Sequence, residues 1–362
     1  MAAARPISVA QSITGTAAAL AMLWFFRPVL VPFVVAFVLA VLVSGLVRFI
    51  RSRSPRAPGW AVSLLAGLVV IIAASAAIFV MAQGMVRMVS QGPALVLRID
   101  ELLRGAGQAF HLKEPLHLTN LVGNVGIPQI AGAALSSLQG LASGVLLMIV
   151  YFGFMLAGRE RISRKMDHVG GAPGRARTIR TIVERIAADL ETYIWVQTIT
   201  GTILTVSAAV VMLAVGLNNV LFWCVVFFLL TFIPNIGVTV GSVAPALFAL
   251  LQFPTVWQAV VIFVVIQIVA TVVGNFIYPR LQAQTQNIDP VATILSLAFW
   301  SLLWGLAGAF LAVPMTLMAM MIFAQFERTK WVAALLSNDG RLPTAPPAAA
   351  LPQKKRAARS GP

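Results

Sequence analysis

Between Glu191 and Arg280 the chain runs for 88 residues without a lysine, arginine, aspartate, glutamate or histidine. Water-soluble domains carry roughly one charged residue in four, so a run of this length has to sit in lipid or inside other apolar protein. Beyond Arg280 only Asp289 is charged before Glu327. Composition agrees: 59% of the 362 residues are hydrophobic and 10% are charged. That balance excludes both an ordinary soluble domain and a disordered chain. The sequence reads as an all-α polytopic integral membrane protein.

A helix crosses the hydrocarbon core with about 20 apolar residues. Segments 13–26 and 29–47 form a pair divided by Arg27-Pro28, which reads as a tight interfacial turn. Further spans are expected at 60–82, 138–156, 194–215 and 256–278. Two apolar runs of about 33 residues, 221–253 and 291–323, are too long for one straight crossing at ~1.5 Å per residue. Pro234-Asn235-Ile236-Gly237 interrupts the first; Gly305, Gly308 and Pro314 interrupt the second. Either each run is one kinked span, giving eight spans, or each is a hairpin, giving six spans plus two broken helical hairpins. Loop 279–290 would be external in the first arrangement and cytoplasmic in the second.

The organisation expected is three N-terminal spans (1–82), an external amphipathic segment (83–137) and a fourth span (138–157). A cytoplasmic basic helical segment (158–192), a core with two broken helices (193–323) and a disordered basic tail (324–362) follow. The net charge of +15 is topogenic in this reading. Arg48, Arg51, Arg53 and Arg56 follow the second span without an acid, segment 158–191 holds eight basic residues, and the tail carries another cluster. Segment 83–135 is balanced, with four bases and three acids. The positive-inside rule then places both termini in the cytoplasm, and nucleic acid is not an expected partner.

The central spans hold no acid, no histidine and one cysteine, Cys224, so they lack the groups of an intramembrane enzyme. The histidines His111, His117 and His168 show no metal-ligand spacing, and no metal or cofactor is expected. Broken helices are the stronger lead, because irregular backbone at membrane depth survives only inside protein or beside a wet cavity. Paired interruptions in long segments are how transporters expose backbone groups to a solute or ion. A substrate or ion path is therefore expected at Pro234, Asn235, Gly237, Gly241, Gln267, Asn275, Arg280, Gly305, Gly308 and Pro314. Neutral polar residues nearby, among them Thr198, Thr200, Thr202, Thr239, Ser242, Thr271 and Ser301, either line that path or bond to neighbouring helices. Arg280 and Asp289 flank the loop between the breaks, as a gate or an interfacial anchor.

Ordered motifs support the same half of the chain. They are Tyr193-Ile194 with Gln197, Gly216-Leu217, Phe232–Gly237, Gly241 with Ala244-Pro245-Ala246, and Gly274–Arg280. Pro290-Val291 and Phe299–Gly308 running into Leu311–Pro314 complete the set. In that order and spacing, residues 175–323 resemble the autoinducer-2 exporter family of bacterial inner-membrane proteins. The first half matches in its pattern of spans. The resemblance implies a multi-pass transporter of the inner membrane with cytoplasmic termini, a small-molecule substrate such as a quorum-sensing signal, and self-assembly into a homo-oligomer. Sodium/proton exchange, or a non-transporting scaffold, are the alternatives. Ala283, Ser301 and Met320 depart from the family pattern, in which relatives carry Gly, Gly and Lys. Loss of that lysine puts coupling carried over from relatives in question.

Overall fold

The computed structural model describes residues 9–109, 144–158, 173–234, 236–282 and 288–340. All regular structure among them is helical. Helix α1 (Val9–Phe25) joins α2 (Arg27–Arg53) through Phe26 alone, which sits at φ −83° and ψ 7°. Backbone bonds continue across it, from Phe26 N–H to the Met22 carbonyl and from Leu30 N–H to the Phe26 carbonyl, both 2.9 Å. The junction is a bend and not the reversing turn expected at Arg27-Pro28. Pro28 lacks an N–H and its ring crowds the preceding turn, which kinks a helix without sending it back. Arg27 folds over the Trp24 ring at this corner, 4.9 Å from its centroid.

Helix α3 (Gly59–Ser90) continues past Ala82, where the third span was expected to end. Gly84 does not stop it, because tertiary packing uses that glycine: a Cβ there would lie 2.3 Å from the Phe222 ring. Helix α4 (Gly92–Ala109) and α5 (Gly144–Gly158) are the described parts of the external segment and the fourth span. Helix α6 (Pro173–Ala214) fuses the basic helical segment and the fifth span into 42 continuous residues. At ~1.5 Å per residue that is about 63 Å, twice the ~30 Å of a hydrocarbon core, so its basic half stands outside. The remaining elements are α7 (Val220–Thr231), α8 (Gly237–Gln252), α9 (Trp257–Val272) with a π-turn (Val273–Ile277) and α10 (Tyr278–Gln282), α11 (Pro290–Phe323) and α12 (Lys330–Leu336). Ala283 and the tail beyond 340 lie outside the described residues.

Among the described residues, five segments are long and apolar enough to cross a membrane: 27–53, 59–90, 181–214, 257–281 and 290–323. The last of these folds back on itself. A straight helix would hold residues 300 and 316 about 24 Å apart, yet the Trp300 indole N–H donates to the Thr316 hydroxyl at 3.2 Å. The reversal occurs at Gly305 (φ 63°, ψ −142°), outside helical space. Helices α7 and α8 form a second hairpin, hairpin 1, reversing at Phe232–Ile236. Gly237 lies against the Leu230 carbonyl, Gly241 against the Phe227 ring, and Trp223 packs on Phe248 at 5.5 Å, pairing the arms antiparallel. Both over-long runs are thus hairpins, the second of the two arrangements expected from sequence.

Helix α6 organises the interior. Its outer half (Leu204, Ala208, Met212) packs with hairpin 1 and α9, around Phe227, Phe248, Ile262 and Ile266. Its inner half (Leu190, Tyr193, Ile194) packs with α2 and hairpin 2 (α11), around Leu297, Trp300, Leu311 and Leu317. A third cluster joins α2, α3 and α5 through Val43, Ala66 and Phe152. In lipid these contacts stabilise through close packing rather than through release of water, which is why small residues recur at the crossings.

Candidate functional site

Hydroxyl side chains account for much of the expected polar path, and most of them bond locally. Thr200 donates to the Val196 carbonyl (2.8 Å), Thr202 to Thr198 (2.7 Å), Ser242 to Thr239 (2.8 Å) and Thr271 to Gln267 (2.8 Å). Back-bonding of this kind lets a hydroxyl sit in an apolar helix without a free polar group. Thr202 is exposed while Thr200 and Ser242 are buried, so these residues do not line one surface.

The structure instead gathers polar atoms at the tip of hairpin 1. The last carbonyls of α7 have no intrahelical partner once the chain reverses. Helix α6 supplies partners: Tyr193 donates its hydroxyl to the Phe232 carbonyl at 3.3 Å, and Gln197 donates its amide to the Thr231 carbonyl. Residues 193, 197, 200, 201 and 204 fall on one helical face, and Gly201 lets Thr231 approach, since a Cβ would sit 2.6 Å from its hydroxyl. Tyr193 and Gln197 are 2% and 8% exposed, so these are bonds made away from water. Both were legible only as motif members. Their signal is an i, i+4 polar pair in an otherwise apolar segment just ahead of a helix break.

The tip of hairpin 2 is held in a different way. Trp300 staples its two arms through Thr316, which itself bonds the Ala312 carbonyl at 2.7 Å. Trp304 reaches out to α1 and donates to the Leu23 carbonyl at 3.1 Å, one of the carbonyls left free by the end of that helix. Gly308 sits against the Trp300 carbonyl, where a Cβ would lie at 1.8 Å. Phe232 from the first tip stacks on Phe310, just beyond the second, with centroids 5.0 Å apart and planes at 27°. That contact joins the two hairpins. Exchanging Trp300 for Phe keeps an aromatic ring but removes the indole N–H and part of the buried volume, and the thermal midpoint is expected to fall by the equivalent of about 1 kcal/mol or more; an unchanged midpoint in a thermal melt would deny the staple.

The expected path residues are therefore only partly convergent. Pro234, Gly237 and Gly241 belong to the first hairpin, with both glycines buried at the arm-to-arm contact; Asn235 lies outside the described residues. Gly305, Gly308 and Pro314 belong to the second, with Gly305 exposed at the reversal and Pro314 buried. Gln267 and Asn275 lie on α9 and its π-turn, two turns apart. Asn275 donates to the Thr271 carbonyl at 2.9 Å and is exposed. Arg280 is exposed on α10 and forms no ion pair with Asp289. Asp289 instead starts hairpin 2: its carboxylate accepts from the Val291 and Ala292 N–H groups at 2.8 and 3.1 Å, and its own N–H bonds the Leu336 carbonyl. Met320 is buried in the inner core.

The hairpins are anchored at opposite ends of α6. At the base of hairpin 1, the Gln252 amide donates to the Gly216 carbonyl (2.9 Å) and accepts from Asn218 N–H (2.7 Å). Helix α4 docks at the same base, with Leu95 on the outer core and Arg98 donating to the Phe253 and Pro254 carbonyls at 3.3 and 3.1 Å. This resolves its amphipathic pattern as a cap on hairpin 1. Bonds from a charged donor contribute about 1.5–3 kcal/mol, so Arg98→Ala should speed amide exchange across 92–109 by roughly tenfold or more. Unchanged exchange in that helix would show that the contact does not hold it.

A family model described as AI-2E family transporter matches residues 13–328. The chain is 24% identical over 331 residues to the AI-2 transport protein TqsA of Escherichia coli K12, covering 87% of this chain and 91% of that protein. It is 25% identical over 319 residues to a Haemophilus influenzae protein named "Putative transport protein", covering 86% and 90% respectively. The similarity extends well ahead of the motifs at 175–323, into the first spans.

Proposed function

Because the chain belongs to the AI-2E family of membrane transporters, we propose that it exports a small polar solute of the autoinducer-2 class along the seam between its two hairpin tips. The observation that carries this reading is the Phe232–Phe310 contact, which joins the tips of two broken helices anchored at opposite ends of α6. With no charged side chain in 192–279, a solute there meets backbone groups, hydroxyls and amides. Such groups suit a neutral polar molecule better than a bare ion. Separation of the tips would uncover the reversal of hairpin 1 and the carbonyls held by Tyr193 and Gln197. The π-turn beside Gly274 and Asn275 supplies a further irregular segment, and π-turns recur at functional sites.

In this reading the arginine-rich corner between α2 and α3 and the C-terminal end face the cytoplasm, the base of hairpin 1 and α4 face outward, and hairpin 2 enters from the cytoplasmic side. Single cysteines at Arg280 and Glu327 should then be labelled by an impermeant reagent from one face, and one at Phe253 from the other. Labelling of Arg280 and Phe253 positions from the same face would overturn the arrangement. The function itself is tested by presenting autoinducer-2 precursor on the outside of everted vesicles. Accumulation that needs this protein supports the proposal. Flux of sodium or protons without solute movement would favour an antiporter, and no flux of either a scaffold.

A further inference from the structure

The corner between α2 and α3 gathers four arginines within nine residues, Arg48, Arg51, Arg53 and Arg56, and no acid occurs anywhere in 28–99. Arg48 pairs with Glu191 on α6. Arg51, Arg53 and Arg56 are exposed and form no ion pair among the described residues; Arg53 lies over the exposed Phe49 ring at 5.6 Å. Arg51 and Arg53 close the last turn of α2, and Arg56 lies in the short loop that follows, which carries Pro55 and Pro58. Gly59 gives the Arg51 guanidinium its place, because a Cβ there would fall 2.0 Å from it.

An apolar track leads away from this cluster. Trp60, Leu64, Leu68 and Ile72 follow at i, i+4 spacing and are 74%, 63%, 47% and 58% exposed. They form one stripe on α3 running about 18 Å, close to the ~15 Å of one leaflet's hydrocarbon. Unpaired guanidinium groups at the head of an exposed apolar stripe, with an aromatic residue where the two meet, match the two halves of one molecule. We infer that this corner is a binding site for an anionic phospholipid, with its phosphate on Arg51, Arg53 and Arg56 and an acyl chain along Trp60–Ile72. A neutral-headgroup lipid offers the chain but not the charge, and a second copy of the chain would have to bring an acidic surface to the corner.

The test uses the full chain in nanodiscs of phosphatidylcholine alone or mixed with phosphatidylglycerol. Each basic residue near an anionic surface contributes enough that Arg53→Gln/Arg56→Gln should weaken phosphatidylglycerol retention, read by native mass spectrometry, by roughly tenfold or more. Arg51 is left intact in that variant because its contact with Gly59 also shapes the loop. Arg87→Gln, at the far end of the same helix, should retain lipid as the parent does. A photoreactive residue at Leu64 should crosslink to phospholipid in the mixed discs. Equal retention by the double variant, or a Leu64 crosslink to a second copy, would overturn the assignment.

Discussion

Gly308→Ala is expected to abolish transport and to lower the thermal midpoint, an effect disproportionate to one added methyl. The added Cβ would stand 1.8 Å from the Trp300 carbonyl oxygen, a backbone atom that cannot rotate away. Overpacking costs about 1–3 kcal/mol, and this substitution belongs at the top of that range because relief requires the arms of hairpin 2 to separate. Separation would also pull Trp300 from Thr316 and shift Phe310, the residue that meets hairpin 1. Gly237→Ala should behave likewise in hairpin 1, where the Cβ would lie 1.7 Å from the Leu230 carbonyl. Gly305→Ala has open space around it but must adopt φ 63°, ψ −142°, so its penalty is backbone strain of about 1–3 kcal/mol. Gly274→Ala meets nothing within 4 Å and should be close to neutral. Thermal melts and vesicle transport on these four variants separate close approach, strain and empty space. A Gly308→Ala protein with normal midpoint and normal flux would contradict the folded-back geometry of α11.

Removing the support under the first tip should have the next largest effect. Gln197→Leu leaves the Thr231 carbonyl without a partner in a site shielded from water, a loss of about 1–3 kcal/mol. Tyr193→Phe removes the bond to the Phe232 carbonyl while keeping the ring in the inner core. The double variant should reduce transport by roughly tenfold or more if tip placement sets the rate. Thr202→Val, whose hydroxyl is exposed and bonds only its own helix, should transport as the parent does. Equal loss in Thr202→Val would point to general damage to α6 instead of to the tip.

The sequence shows the helical class, the breaks and the presence of two over-long runs because charge and hydropathy are read directly along the chain. It does not show that the runs reverse. Pro234 and Gly305 are compatible with a kink as much as with a hairpin, and only cross-arm contacts such as Trp300 with Thr316 decide between them. The corner at Arg27-Pro28 misleads for the converse reason: proline and arginine there resemble a loop, yet one residue of near-helical geometry joins the helices. Among site residues, glycines were legible because nothing else explains them in apolar helices. Tyr193, Gln197 and Phe310 were not, since their importance comes from carbonyls and rings brought near by the reversal of other segments. Asp289 was legible as a charge, as part of a gate or an anchor; its N-cap bonds give it a structural task at the start of hairpin 2.

If solute passes where the two tips meet, as we propose, they must part in each cycle. The most direct test fixes them together: Phe232→Cys with Phe310→Cys in a Cys224→Ser background, joined by oxidation or a short bismaleimide in everted vesicles. Transport of autoinducer-2 precursor is expected to stop when the cysteines are joined by a disulfide and to return when it is reduced. Undiminished transport by the fully cross-linked protein would contradict the proposal.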